Sequence, residues 1–79
     1  MIIEIRRATT NEAIATLNRD DAIAVLNEAA ERGADLSTLH LYDQDRERVS
    51  ADELGVDFSV FEAEITDPEA VIDIIRDIL

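Results

Sequence analysis

The sequence contains no cysteine, which excludes disulfide bonds, thiol nucleophiles, iron–sulfur clusters and zinc sites built from thiolates. Aromatic residues make up only 4% of the chain, so the core has to be built from aliphatic side chains and alanine. No stretch approaches 18 apolar residues, and the first residues lack the basic and then apolar pattern of a signal peptide. We therefore expect neither a membrane span nor a leader, and a soluble cytoplasmic protein.

Lysine is also absent. Seven arginines stand against 19 acidic residues, which gives a formal net charge of −12. The charge is uneven, because residues 1–42 carry 7 acids and 4 arginines (−3) while residues 43–79 carry 12 acids and 3 arginines (−9). Nucleic acids and anionic membranes need cationic contacts, so we expect this chain to bind neither directly. The charge favours the opposite role, in which carboxylates engage a basic protein surface.

The clearest local pattern is a helix from Asp20 to Gly33. Its apolar residues fall on one face and its charged residues on the other: Ala22, Ile23, Val25, Leu26, Ala29 and Ala30 against Asn27, Glu28, Glu31 and Arg32. We expect Asp20 or Asp21 to cap the first turn and Gly33 to end the helix in the left-handed conformation. The 79 residues form a single domain, 1–79, packed around this helix.

The segment before this helix repeats part of it. Residues 11–18 (NEAIATLN) recur nine positions later as residues 20–27 (DDAIAVLN). A capping-box pattern from Thr9 to Glu12 predicts a short helix that ends near Asn18 and buries Ala13, Ile14 and Leu17. One continuous helix would place the two apolar faces on opposite sides, so we expect a break near Asn18 and Arg19.

Strands are predicted on both sides of these helices. Ile3 and Ile5 should face inward from a first strand, and Leu39 and Leu41 from a second strand over residues 36–43. If these strands are neighbours, the connection through the helices favours a right-handed parallel crossover. Residues 47–54 fit either a short strand or a helical turn.

A late strand and a last helix complete the chain. The late strand spans residues 56–65, and its apolar set changes face near Val60 and Phe61, which predicts an irregularity there. Asp67 should cap the last helix with Pro68 at its first position. The predicted fold is α+β with two layers: a small mixed β-sheet of three or four strands with helices packed on one face. The predicted order is β-α-α-β-(β or short helix)-β-α.

Few residues suggest chemistry. Asp43, Asp45 and Glu47 resemble the opening of a calcium loop, but Arg48 stands where the loop needs glycine and two arginines repel a cation. We therefore predict no metal site, with these three residues as the weak candidates. The lone His40 has no catalytic partner at a recognisable spacing, and no phosphate-binding loop or nucleophile motif occurs. We expect no enzyme activity and no cofactor.

The function predicted from sequence is a non-enzymatic protein-interaction module. It would bind a basic protein surface, as an inhibitor or a mimic of nucleic acid. The residues predicted to contact the partner are Tyr42, Asp43, Asp45, Glu47, Asp52, Glu53, Glu62 and Glu64. Tyr42 would share an exposed strip with Thr38 and His40; the alternatives are that this face is partly buried or that it forms a homodimer interface.

Two alternatives stay open from sequence. The first is a stable scaffold without a specific partner, either adapted to salt or designed. Helix caps, hydrophobic periodicity and helix-ending residues indicate the same elements in this sequence, and such agreement is also typical of designed chains. The second is a module that binds a divalent cation weakly through Asp43, Asp45 and Glu47.

Overall fold

A computed structural model describes residues 1–56 and 63–79, and these residues form a small α+β fold. The strands are β1 Ile2–Arg7, β2 Ala13–Asn18, β3 Leu39–Tyr42 and β4 Arg48–Val49. The helices are α1 Arg19–Glu31, α2 Ala51–Leu54 and α3 Pro68–Ile78, and a 3₁₀ turn over Leu36–Thr38 precedes β3. The predicted class, a small sheet with helices on one face, is confirmed.

The four strands form one sheet in the order β2-β1-β3-β4, and every described pair of strands is antiparallel. The predicted mixed sheet is therefore corrected to an antiparallel one. β1 and β3 are neighbours, as the crossover argument required, but they run in opposite directions. The described part of the chain has one parallel contact, an isolated bridge from Ala34 to Ile65.

Alternation along β1 and β3 separates a core face from an open face. Ile3 and Ile5 are completely buried, and Leu39 and Leu41 are buried beside them, as the sequence predicts. The helices cover this face. The opposite face carries the intervening polar residues Glu4, Arg6, His40 and Tyr42, which are half-buried.

The second element is a strand, so the helix predicted up to Asn18 is wrong. β2 pairs with β1, with Leu17 opposite Ile3 and Ala15 opposite Ile5. The expected capping box does not form, because Asn11 adopts φ 60° and turns the chain back along β1. A helix of about eight residues is marginal alone, whereas β1 offers this segment a full row of backbone partners.

The break near Asn18 is confirmed, but it separates a strand from a helix rather than two helices. The α1 helix matches its predicted extent and buries Ala22, Val25, Leu26, Ala29 and Ala30. Its cap is Asn18, whose side chain accepts from the Asp21 N–H at 2.8 Å, and not Asp20 or Asp21. Gly33 follows α1 with φ +89°, as predicted for a left-handed helix end.

Residues 47–54 contain both predicted alternatives in succession. Arg48 and Val49 form β4 opposite Tyr42 and Leu41, and α2 follows, with the Glu53 N–H donating to the Ser50 hydroxyl oxygen at its start. The predicted strand over residues 56–65, with its irregularity at Val60 and Phe61, lies mostly outside the described residues. At its ends Val56 is buried outside any strand and Ile65 forms the parallel bridge.

The last helix is confirmed at its start and on its buried face. Asp67 caps α3 by accepting the Glu69 N–H at 3.1 Å, and Pro68 occupies the first turn. Val71, Ile72 and Ile75 are buried, and α3 packs against α1. At the surface Arg32 Nη1 donates to Asp77 Oδ2 at 2.8 Å, and the hydrogen bonds that Arg32 donates to Asp77 and to Glu28 raise the pKa of its guanidinium.

Candidate interaction surface

The loop from β3 to β4 is organised by Asp43. Its Oδ1 accepts the backbone N–H of Asp45 at 2.8 Å and of Glu47 at 3.0 Å, and its own N–H donates to the Glu47 carbonyl. Arg46 closes the three-residue loop with φ 63°, the left-handed position at which such hairpins usually carry glycine. The Asp43 carboxylate therefore shapes the loop, and the exposed side chains of Asp45 and Glu47 project from it.

Three hydrogen bonds place this loop and two other acidic segments at the same end of the domain. The Ile2 N–H donates to Gln44 Oε1 at 3.1 Å, which ties the loop to the start of β1. Arg19 donates from its backbone to the Met1 carbonyl at 2.9 Å, and from Nη2 to the Leu54 carbonyl at 3.4 Å. The start of α1, the end of α2 and the β3–β4 loop are thus brought together.

We call this region the acidic end. Its carboxylates are exposed, except for the half-buried Asp43, and they come from all three segments: Asp20, Asp21, Asp43, Asp45, Glu47, Asp52 and Glu53. Five of these seven were predicted as contact residues. The sequence did not predict Asp20 and Asp21, because they were interpreted only as helix caps. Asn18 takes that role, and the cap uses the backbone N–H of Asp21 rather than its carboxylate. The Asp21 carboxylate does accept one hydrogen bond, from Asn18 Nδ2 at 2.9 Å.

The remaining two predicted carboxylates do not join this group. Glu64 is bonded through its backbone N–H to the Gly33 carbonyl at 2.9 Å, beyond the far end of α1. The 13 residues of α1 span about 20 Å, so Glu64 lies at the other end of the domain. Glu62 lies outside the described residues.

The open face of the sheet carries the predicted strip only in part. His40 and Tyr42 lie there, with ring centroids 6.5 Å apart in an edge-on arrangement. Thr38 belongs to the 3₁₀ turn and not to the strip. The Arg6 guanidinium stands 5.7 Å from the centre of the Tyr42 ring, within the range of a cation–π contact.

Tyr42 is therefore flanked by arginine as well as by acids. Arg48 is its partner on β4, and Glu4, its partner on β1, forms an ion pair with Arg6. A cavity of about 310 Å³ lies over this part of the face, between Arg6 and Arg46. Opposite charges are mixed here, so the acidic end and the open face differ in electrostatic character.

Arg7 and Arg19 also lie beside carboxylates that offset their charge. Arg7 Nη1 lies 2.5 Å from Glu69 Oε1, and Arg7 Nη2 lies 3.7 Å from Glu12 Oε2, so Arg7 ties β1 to the first turn of α3. Arg19 lies 3.9 Å from Asp20, although it is about half exposed. At the acidic end the carboxylates thus outnumber the cations that could offset them.

The described residues provide no set of ligands for a metal. No group of three or more His, Asp or Glu side chains in residues 1–56 and 63–79 has the geometry to hold an ion. Asp43 also directs one carboxylate oxygen at two backbone N–H groups, so that oxygen is already occupied.

Comparison of the chain with protein-family models, with curated proteins and with solved structures finds no match. Within the described ranges, no helix is both long enough and apolar enough to cross a membrane.

Proposed function

We propose that this chain is a non-enzymatic interaction module whose acidic end binds a basic surface of another protein. The observation that carries the proposal is the convergence of three separate segments, each with exposed carboxylates, at one end of the domain. An array held together by hydrogen bonds between its segments presents its charges in a defined arrangement. Such an array steers a cationic partner and selects its orientation, through contacts that salt weakens.

The hairpin supports a binding role for its loop. Arg46 occupies a left-handed position that costs a non-glycine residue roughly 1 kcal/mol or more. Asp43 holds the loop in that shape and leaves Asp45 and Glu47 exposed. A rigid tip loses little entropy on association, which favours it as a contact site.

A scaffold without a partner is the second candidate. It is favoured by exposed carboxylates that lie away from the acidic end, such as Glu31, Glu64 and Asp73. A uniformly acidic surface would solvate the chain in brine without selecting any protein. The two candidates differ in whether the position of a carboxylate matters or only the total charge.

Two variants with the same net charge test this difference. One is the triple variant Asp45→Asn, Glu47→Gln and Asp52→Asn at the acidic end. The matched control neutralises Glu31, Glu64 and Asp73, which are equally exposed and form no ion pair among the described residues. Binding of poly-lysine is measured by calorimetry at low salt for both variants and for the unaltered chain.

We expect the acidic-end variant to bind about tenfold more weakly, since three exposed ion pairs contribute about 0.5 kcal/mol each. The control should keep most of the affinity. Equal losses in the two variants would show that binding follows net charge alone, and would overturn the proposal in favour of the scaffold.

A further inference from the structure

The two edges of the sheet differ in how well they are protected. β4 is only two residues long and is bordered by the charged residues 45–48. β2 is six residues long and contains no charge and no proline. Long uncharged edges pair readily with other chains, and proteins usually block them with charges, proline or short strands. β2 lacks those three devices, although its register against β1 shifts between Ile5 and Arg6, and such an irregularity also limits edge pairing.

The hydrogen bonding of β1 fixes which groups of β2 face outward. Arg19 donates to the Met1 carbonyl, so this pair exchanges backbone bonds. Bonded and non-bonded pairs alternate in an antiparallel ladder. Leu17 therefore bonds to β1, whereas Thr16 points its N–H and C=O away from the sheet. Thr16 is exposed, and within residues 1–56 and 63–79 no strand pairs with this side of β2.

Acidic residues stand at both ends of this edge. Glu12 precedes β2, is 56% exposed and lies 3.7 Å from Arg7 Nη2; Asp20 is the second residue of α1, is 93% exposed and lies 3.9 Å from Arg19 Nη1. If a second copy paired with β2 about Thr16, Glu12 of each copy would be brought near Asp20 of the other, beyond the ends of the paired strands. Like charges placed near each other oppose such pairing, whereas cationic residues at the same places would be attracted.

We propose that an extended basic segment of the partner adds to the sheet as a fifth strand along β2. This inference rests on the proposed function and specifies how the partner binds. Backbone bonds to Thr16 supply the pairing, and Glu12 and Asp20, which lie just beyond the paired stretch, attract lysine or arginine side chains that flank the added strand. The edge leads directly into the acidic end, because α1 begins where β2 stops.

The length of the added strand is limited by an irregularity. The register of β2 against β1 shifts between Ile5 and Arg6, so regular pairing is confined to Ala15–Asn18. Four residues span about 13 Å of strand. The added segment is therefore short, and its charged ends matter as much as its backbone.

The test uses a synthetic probe, the peptide acetyl-Lys-Thr-Val-Thr-Val-Lys-amide, with the full chain at low salt. Amide hydrogen exchange and chemical shifts are followed by NMR. A second peptide of the same sequence carries N-methyl groups on its central residues, which removes hydrogen-bond donors but keeps the charge. We expect the first peptide to protect the Thr16 amide and leave the already bonded Leu17 amide unchanged, and the methylated peptide to bind several-fold more weakly.

The Thr16→Pro variant provides a check on the protein side. It removes the outward N–H together with the exposed Thr16 side chain, a change that an edge strand tolerates, and circular dichroism establishes that the variant is folded. Weaker binding of the first peptide and no change for the methylated one would support the added strand. Equal binding of both peptides by this variant and by the unaltered chain would overturn it.

Other outcomes separate this inference from the proposed function. If the peptide shifts residues 43–47 or α2 and leaves Thr16 exchanging freely, the added strand is overturned and the acidic end stands. If the chain protects Thr16 by dimerising without peptide, a second copy occupies the edge and the inference fails. If no basic probe binds at low salt, both proposals fail.

Discussion

The Asp43 carboxylate accepts the backbone N–H of Glu47 at 3.0 Å, across the loop that joins β3 to β4. The same oxygen accepts the Asp45 N–H, so one acidic side chain fixes the tip of the hairpin. Asp43 and Asp45 thus have different roles although they are two positions apart. The Asp43 side chain stabilises the shape of the loop, whereas the Asp45 side chain is exposed at its tip.

Replacing Asp43 by alanine should therefore lower the free energy of unfolding by about 1–2 kcal/mol, since two backbone donors lose a charged acceptor. Asp45→Ala removes the same charge without removing an acceptor and should change stability very little. Urea unfolding followed by circular dichroism measures both variants. A loss for Asp45→Ala as large as that for Asp43→Ala would contradict the assigned roles.

For Arg46 we expect a substitution that raises the free energy of unfolding, in contrast to Asp43→Ala. Its φ of 63° costs about 1–2 kcal/mol for a residue with a Cβ, and glycine escapes this cost while losing about 0.5–1 kcal/mol of chain entropy. Arg46→Gly should therefore stabilise the fold by several tenths of a kcal/mol. Arg46→Val, which is β-branched, should destabilise it. Melting temperatures of the two variants compared with the unaltered chain decide the matter, and stabilisation by valine would refute the left-handed conformation.

The transition from β2 to α1 depends on a single cap. Asn18 Oδ1 accepts the Asp21 N–H, so Asn18→Ala should cost about 1 kcal/mol. Asn18→Ser keeps a capping acceptor without placing a second carboxylate beside Asp21, and should recover most of that loss. The comparison is made by thermal unfolding at fixed salt, and equal stability of the alanine and serine variants would show that the cap contributes nothing.

Packing of α3 gives the largest expected effect. Ile75 is completely buried and Ile74 is half-buried, although they are adjacent in sequence. Ile75→Ala should cost about 2–5 kcal/mol and Ile74→Ala clearly less, because the cavity left behind adds to the lost burial. Denaturant unfolding of the two variants measures the difference, and equal losses would mean that α3 packs on another face.

The sequence predicted the elements whose signals agree at several levels. α1 has an apolar face and a glycine stop, and α3 combines Asp67, Pro68 and a broad apolar stripe. The alternation of Ile3 and Ile5, and of Leu39 and Leu41, fixed the core face of β1 and β3. In each case the hydrophobic periodicity agrees with the residues at the ends of the element, so contacts with the rest of the fold do not change the predicted structure.

Residues 11–18 show why the rest could not be predicted. They closely resemble residues 20–27, yet they form a turn and a strand while the latter form most of a helix. Ala13, Ala15 and Leu17 fit a strand as well as a helix, and the neighbouring edge of β1 decides between them. No local pattern contains that information.

The acidic character of the candidate site could be predicted from the sequence, but the arrangement of its carboxylates could not. Asp43, Asp45, Glu47, Asp52 and Glu53 do come together, while Glu64 lies at the other end of the domain. Asp20 and Asp21 were missed because their proximity depends on the path of β2. The outer edge of β2, with which no strand of residues 1–56 and 63–79 pairs, could not be predicted for the same reason, since the sequence predicts a helix for that segment.

The proposed function requires that the carboxylates be available to a basic partner on a chain that is already folded. Thermal unfolding by circular dichroism, from low salt to molar sodium chloride, tests this claim directly. We expect a cooperative transition at low salt and a modest rise in melting temperature as salt screens the net charge of −12. A chain that unfolds cooperatively only near molar salt would show that its acidity is an adaptation to brine, and would contradict the account.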